Sequence, residues 1–106
     1  MFANTPPPPY YAVIFTSERT SEDKGYAAMA EDMVRLAQEQ PGFLGMESAR
    51  DGLGITVSYW TDLEAIKQWK QQTDHLEAQR LGRSTWYKNY LVRICKVERD
   101  YLFTGR

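Results

Sequence analysis

The run YYAVIFTS, residues Tyr10–Ser17, is the feature that most constrains how this chain can fold. It is dense in aromatic and β-branched residues, which favour extended backbone, so it predicts a first strand. Successive side chains of a strand point to opposite faces of its sheet. Both sets are largely apolar here: Tyr11, Val13 and Phe15 on one face, and Ala12, Ile14 and Thr16 on the other. Such a strand needs cover on both sides.

The rest of the chain predicts two helical regions and three more strands. Apolar residues recur at three- and four-residue spacing from Tyr26 to Gln40, which is typical of an amphipathic helix, and Pro41-Gly42 ends it. Asp51-Gly52 separates two strand-length runs and predicts a two-residue hairpin turn. A second helical region starts at Thr61, and the last strand covers Tyr87–Tyr101.

The order strand, helix, strand, strand, helix, strand predicts an α+β fold, the ferredoxin-like βαββαβ arrangement with an antiparallel sheet. Both helices of that fold lie on one side of the sheet. The other side would expose the apolar residues of the first strand, so we expect a homodimer in which two sheets pack back to back.

Length and composition narrow the class of protein further. A chain of 106 residues is long enough for one domain, which we place at residues 10–106, after a proline-rich arm at residues 1–9 whose role stays open. A net charge of −1 gives no basic excess, so nucleic acid is not an expected partner. A single cysteine, no signal-peptide pattern and no membrane-length apolar run predict a cytoplasmic protein without membrane contact.

The segment Thr61–Gln79 contains the only histidine of the chain, His75. On one continuous helix His75 would lie about 120° from Trp69 and would point into solvent. Asp74 followed three residues later by Glu77 repeats a capping pattern, however, and a break near 72–74 would place His75 in the first turn of a new helix. There the helix dipole would keep the imidazole neutral and able to accept a proton. An exposed histidine without a role is the alternative interpretation.

Arg93 is unusual because its neighbours on the predicted last strand, Leu91 and Cys95, are apolar. It could stabilise an anion in a pocket, or it could form an ion pair with Glu47. Cys95 itself is expected to be a small buried hydrophobe.

Several motifs, in this order and spacing, resemble the antibiotic biosynthesis monooxygenase (ABM) domain family. They are Pro41-Gly42-Phe43 after the first helix, Trp60 at the end of the third strand, and the pair Trp69 and His75. The resemblance covers Tyr10 to about Tyr101. It implies a dimeric α+β barrel with a pocket between sheet and helices in each subunit.

The resemblance also implies a function: a cofactor-independent monooxygenase that oxidises a small aromatic or polyketide-like substrate with molecular oxygen. His75 would be the catalytic proton acceptor or orienting group, and the substrate pocket would include Trp69, Tyr59, Phe15 and Arg93. No metal or other cofactor is expected.

Two alternatives stay open, a non-catalytic dimer that binds a small molecule and a haem-binding or haem-degrading protein. The haem-degrading branch places a histidine ten residues after the tryptophan, where this chain has Gln79, and an asparagine in the first strand, which this chain lacks.

Overall fold

The computed structural model describes the backbone of residues 2–80 and 83–105, and their side chains except at 77–80, 83 and 84. The elements follow one another as strand β1, helix α1, strands β2 and β3, helix α2, a short helix α3 and strand β4. Their bounds are Tyr10–Arg19, Tyr26–Gln38, Phe43–Asp51, Leu53–Trp60, Leu63–Arg80, Arg83–Trp86 and Tyr87–Val97.

The four strands form one antiparallel sheet in the order β2-β3-β1-β4. This is the predicted ferredoxin-like βαββαβ fold, and the structure confirms it. The predicted last strand is too long, because β4 ends at Val97 rather than at Tyr101.

The strand register defines which residues share each face of the sheet. Tyr11 pairs with Trp60, and Val13 pairs with Ser58 and with Ile94, so these side chains point the same way. Val13 and Trp60 pack with Ala65 and Ile66 of α2 in the buried core. This side is therefore the helix-facing face, and the opposite side is here called the outer face.

Side chains and glycines set the ends of the helices. α1 starts after Gly25, whose φ of 82° is left-handed and unsuited to other residues, and no side chain caps it. α2 starts after Asp62, whose Oδ1 accepts a hydrogen bond from the backbone N–H of Ala65 at 2.8 Å. The cap is thus Asp62, one residue after the predicted start of this helical region at Thr61, while the N–H of Thr61 donates to the carbonyl of Gly42 at 2.9 Å.

α2 is one continuous helix through residues 72–77, so the predicted break is wrong. The two groups expected to cap a second helix act inside this one instead. The Thr73 hydroxyl donates to the Lys70 carbonyl at 2.9 Å, and the Asp74 carboxylate accepts from Lys70 Nζ at 3.0 Å. Both side chains are directed back along the helix, so neither caps the backbone N–H groups of a new one.

The hairpin between β2 and β3 is tighter than predicted. Only Gly52 separates the two strands, with a φ of 77°, whereas the sequence predicts a two-residue loop at Asp51-Gly52. The registers Asp51↔Leu53 and Arg50↔Gly54 follow directly from this turn.

The N-terminal arm is tied to the domain by hydrogen bonds. The backbone N–H of Ala3 donates to Glu47 Oε2 at 2.8 Å, and the Thr5 hydroxyl donates to the Tyr10 hydroxyl at 3.1 Å. Tyr10 in turn donates to Asp100 Oδ2 in the C-terminal tail at 2.5 Å. Both ends of the chain therefore meet at Tyr10.

Among the residues described, no helix has the length and apolar character needed to cross a membrane.

Candidate functional site

The helix-facing side of the sheet is organised in rows that run across the four strands. The register Phe43↔Trp60↔Tyr11↔Lys96 defines the first row, next to the start of α2. Arg50↔Gly54↔Ser17↔Tyr90 defines the fourth row, at the other end. Aromatic residues occupy both ends, and the two rows between them combine small polar residues such as Ser58 and Thr56 with apolar ones such as Val13.

The aromatic group at the first row is built on Trp60, which is fully buried. Its ring lies 5.6 Å from that of Trp69 on α2 and 5.4 Å from that of Phe43, measured between ring centroids. The indole N–H of Trp60 donates to Ser58 Oγ at 2.9 Å, which satisfies the polar atom of a buried ring. Trp69 is therefore half-buried, with one side of its ring packed against Trp60 of the first row.

A second aromatic group lies at the other end. Phe15 contacts Tyr87 and Tyr90 at centroid distances of 5.5 and 5.1 Å. Tyr26 of α1 lies 6.1 Å from Tyr87, and the Arg19 guanidinium carbon lies 3.3 Å from the centroid of the Tyr26 ring. Burial raises the pKa of Tyr87, and the hydrogen bond with the Tyr26 hydroxyl raises it further, so Tyr87 is a neutral phenol at physiological pH.

Small polar residues form part of the sheet floor, with Ser58 and Thr56 between these two groups and Ser17 and Gly54 in the fourth row. Ser17 and Ser58 are buried, Thr56 is half-buried, and Gly54 carries no side chain. Short hydroxyl side chains offer hydrogen-bonding groups, and those of Ser17 and Ser58 already accept from Arg50 Nη2 at 2.6 Å and from Trp60 Nε1 at 2.9 Å.

His75 does not belong to the inward stripe of α2. The side chains that face the sheet are Ala65, Ile66, Trp69, Thr73 and Leu76, all buried or half-buried. The His75 side chain is exposed, on a flank of the continuous helix, as expected for a residue about 120° from Trp69. The structure thus brings Trp69 and Phe15 to the helix-facing side and leaves His75 at its edge.

Tyr59 and Arg93 lie on the outer face, so they are not on the side of the sheet that holds Trp69 and Phe15. Tyr59 pairs with Ala12 and Arg93 pairs with Ile14, both of which point away from the helices. The Tyr59 hydroxyl donates to Glu47 Oε1 at 2.7 Å, and burial followed by this bond raises its pKa to about 12.

The alternative role of Arg93, an ion pair with Glu47, is also absent among the described residues. Glu47 pairs with Val57, which pairs with Ile14 and then Arg93, so the two residues lie on opposite edges of the sheet. Three strand spacings separate them by roughly 14 Å. Cys95 lies on the edge strand β4, where it pairs with Ala12, and is half-buried rather than buried.

Two surface depressions lie away from this site. One, of about 340 Å³, is lined by Pro8 and residues 98–101, and the other, of about 450 Å³, by residues of α1. Gln79, relevant to the haem alternative, has a side chain outside the described ones. No cluster of three or more His, Cys, Asp or Glu that could hold a metal occurs in the part of the chain described.

The fold and the sequence together define the class. The family described as "Antibiotic biosynthesis monooxygenase" matches residues 9–81, and the chain belongs to this family. A Bacillus subtilis (strain 168) protein described as "Uncharacterized protein YqjZ" is 55% identical over 103 residues, which cover 95% of this chain and 90% of that protein.

Solved structures share the fold at low sequence identity. A mutant of SnoaB, described as a cofactor-independent oxygenase from Streptomyces nogalater, superposes with a TM-score of 0.70 at 14% identity, covering 88% of this chain and 96% of that one. PA3566 from Pseudomonas aeruginosa gives a TM-score of 0.65 at 18% identity, covering 89% and 97%.

Proposed function

We propose that this protein is a cofactor-independent oxygenase that converts a small electron-rich aromatic molecule into a quinone, and that it works in the cytoplasm as a homodimer. The observation that carries this proposal is the pair of aromatic groups on the helix-facing side of the sheet, with the small polar residues Ser58 and Thr56 between them, in a chain of the ABM family. Aromatic walls hold a flat ring system by stacking, and hydroxyl groups accept or donate hydrogen bonds to its oxygens.

The reaction balances without an added reductant. A base removes a proton from the substrate, and the resulting carbanion gives electrons to molecular oxygen and forms a C–O bond. After protonation this is a hydroperoxide. Loss of the second C–H proton and cleavage of the O–O bond leave a carbonyl and one water. The protein's tasks are proton transfer and positioning.

In this proposal Trp69 and Phe15 shape the aromatic walls, and His75 accepts the proton from the open edge of the site. Support for His75 is its side-chain chemistry, because it is the only histidine of the chain. Tyr59 and Arg93 are assigned to the outer face, where the partner subunit would pack.

Oxygen consumption with anthrone as the probe substrate tests the proposal. Uptake of one O₂ per anthrone, faster than without protein, with one labelled oxygen atom from ¹⁸O₂ in the anthraquinone, is the expected result. His75→Ala should reduce the rate about 100-fold, the low end for loss of a general base. Gln71→Ala, which changes another exposed residue of α2, should keep the wild-type rate. Equal rates for wild type and His75→Ala would remove His75 from the mechanism.

A second candidate function is a dimer that binds an aromatic molecule without converting it. The observation in its favour is the continuous α2, which holds the His75 side chain outside the stripe facing the sheet. Quenching of tryptophan fluorescence by anthraquinone together with no protein-dependent oxygen uptake would select this function.

A further inference from the structure

Arg50 of β2 reaches across the floor of the candidate site. Its Nη2 donates to Ser17 Oγ at 2.6 Å, and Ser17 lies on β1, two strands away. Nη1 makes longer hydrogen bonds, 3.3 Å to the carbonyl of Gly52 and 3.4 Å to the carbonyl of Ser17. The guanidinium is thus held on the helix-facing side by neutral oxygen atoms.

Gly54 makes this position of the guanidinium possible. It lies on β3, directly between Arg50 and Ser17 in the register, and a Cβ at this position would collide with the Arg50 guanidinium. The φ of Gly54 is not in the left-handed region, so the strand itself does not require glycine here. Because Gly54 has no side chain, the Arg50 guanidinium can lie directly over the sheet at this position.

The charge of Arg50 has no carboxylate partner within the described residues. A guanidinium carries five N–H donors, and the three acceptors named above leave donors unused. Arg50 is exposed as a residue, so a ligand can reach these donors. Its charge also acts on the neighbouring aromatic group, since it opposes the rise in the pKa of Tyr87.

We propose that Arg50 binds the anionic group of the substrate, and that the substrate class is a planar aromatic molecule with a carboxylate at the end away from Trp69. This inference rests on the proposed function only in using the same space between sheet and helices. Guanidinium and carboxylate match in shape and form two charge-assisted hydrogen bonds, which are stronger than those Arg50 makes to neutral oxygens.

The positions of the two groups set the shape of the ligand. Gly54 and Trp60 are six residue steps apart on β3, which corresponds to roughly 20 Å along the strand. Trp69 packs on Trp60 at one end of this interval, and the Arg50 guanidinium lies over Gly54 at the other. A molecule that contacts both is elongated, with its rings over Thr56 and its carboxylate at the Arg50 end.

Two probes of the same shape test the proposal: anthraquinone-2-carboxylate and the neutral anthraquinone-2-carboxamide. Affinity is measured by quenching of tryptophan fluorescence at low salt. Wild-type protein should bind the carboxylate about tenfold more tightly than the carboxamide, because a hydrogen bond to a charged group adds at least that factor. Arg50→Gln should bind both probes equally, at the affinity of wild type for the carboxamide.

Gly54→Ala separates position from charge. This variant keeps the Arg50 charge but displaces the guanidinium from its position over residue 54, so the protein should also lose its preference for the carboxylate. Arg35→Gln removes a charge of the same kind from the surface of α1 and should keep the preference. Unchanged affinity for the carboxamide serves as the control for correct folding of each variant. If Arg50→Gln has a changed affinity for the carboxamide, the probe preference of Gly54→Ala decides whether the proposal stands.

The proposal is overturned if wild type binds the two probes equally or binds neither, or if either Arg50→Gln or Gly54→Ala keeps the preference. These outcomes are independent of oxygenase activity. Carboxylate preference without oxygen uptake from anthrone would reject the oxygenase function and retain Arg50 as the anion-binding residue, whereas oxygen uptake without the preference would do the reverse.

Discussion

Gly42 is a residue whose small size and backbone angle are both required. Its φ of 86° is left-handed, and a Cβ there would lie 2.7 Å from Ala65 Cβ and from Thr61 Oγ1. We predict that Gly42→Ala lowers the free energy of unfolding by about 2–3 kcal/mol, the sum of backbone strain and steric overlap at the start of α2. Urea denaturation measures this change.

Gly52 provides the matched control, since its φ of 77° is similar but nothing lies within 4 Å of a Cβ. Gly52→Ala should therefore show the strain alone, about 1 kcal/mol. Equal losses in the two variants would mean that the contacts around Gly42 add nothing.

Tyr59 makes the free energy of unfolding depend on pH in the alkaline range. Its folded pKa, raised to about 12 by burial and then by the bond to Glu47, lies above the unfolded value of 10.0. The neutral phenol therefore stabilises the fold fully below pH 10, and we predict that this contribution is lost as pH rises from 10 to 12. Urea denaturation across this range should show a smaller loss for Tyr59→Phe than for wild type.

Wild type and Tyr59→Phe with the same pH slope would contradict this prediction. The variant should still lose some stability, because the pKa values of Tyr10 and Tyr87 are also raised, that of Tyr10 chiefly by its hydrogen bond to Asp100 and that of Tyr87 chiefly by burial.

The start of α2 gives a prediction at the scale of an element. Asp62 Oδ1 caps the helix through the N–H of Ala65, whereas the Thr61 side chain makes only a 3.4 Å contact with Asp62. Asp62→Ala should lower the free energy of unfolding by about 1 kcal/mol, the usual effect of losing a cap. Thr61→Ala should lower it by less, as measured by thermal or urea denaturation. A larger loss for Thr61→Ala than for Asp62→Ala would mean that Thr61 is the capping residue.

The sequence predicts elements well where hydrophobic spacing is long and regular. β1, α1 and the two hairpin strands follow directly from the residue types and their spacing. The false break in α2 arises because a capping residue has the same identity wherever it occurs. Whether Thr73 and Asp74 cap a new helix or bond back to Lys70 depends on side-chain direction, which the order of residues does not contain.

The outer face of the sheet gives a prediction for the whole molecule. Ile55 and Leu91 both pair with Thr16, so they lie in one row of this face, and they are 43% and 50% exposed. If two sheets pack back to back, a charge in this row must be desolvated. We predict that Ile55→Lys shifts the protein from dimer to monomer in sedimentation velocity experiments.

Val34→Lys is the control, because Val34 is 40% exposed but lies on α1, away from the outer face. A dimer that persists in Ile55→Lys and dissociates in Val34→Lys would place the interface on the helix side.

The candidate site is predictable from the sequence only in part, for a reason of geometry. Trp69 and Phe15 lie on one side of the sheet and Tyr59 and Arg93 on the other, since a shift of one residue along a strand reverses the face. Sequence reasoning misses Arg50 altogether. Its signal in the sequence is Gly54, a glycine inside a strand, which often marks a close approach by another group.

The meeting of both chain ends at Tyr10 has a consequence for limited proteolysis. Cleavage in the proline-rich arm would remove the Thr5 partner of the Tyr10 hydroxyl, and cleavage near Asp100 would remove its acceptor. A protease that trims one terminus therefore weakens the attachment of the other, and the second cut should follow faster than the first.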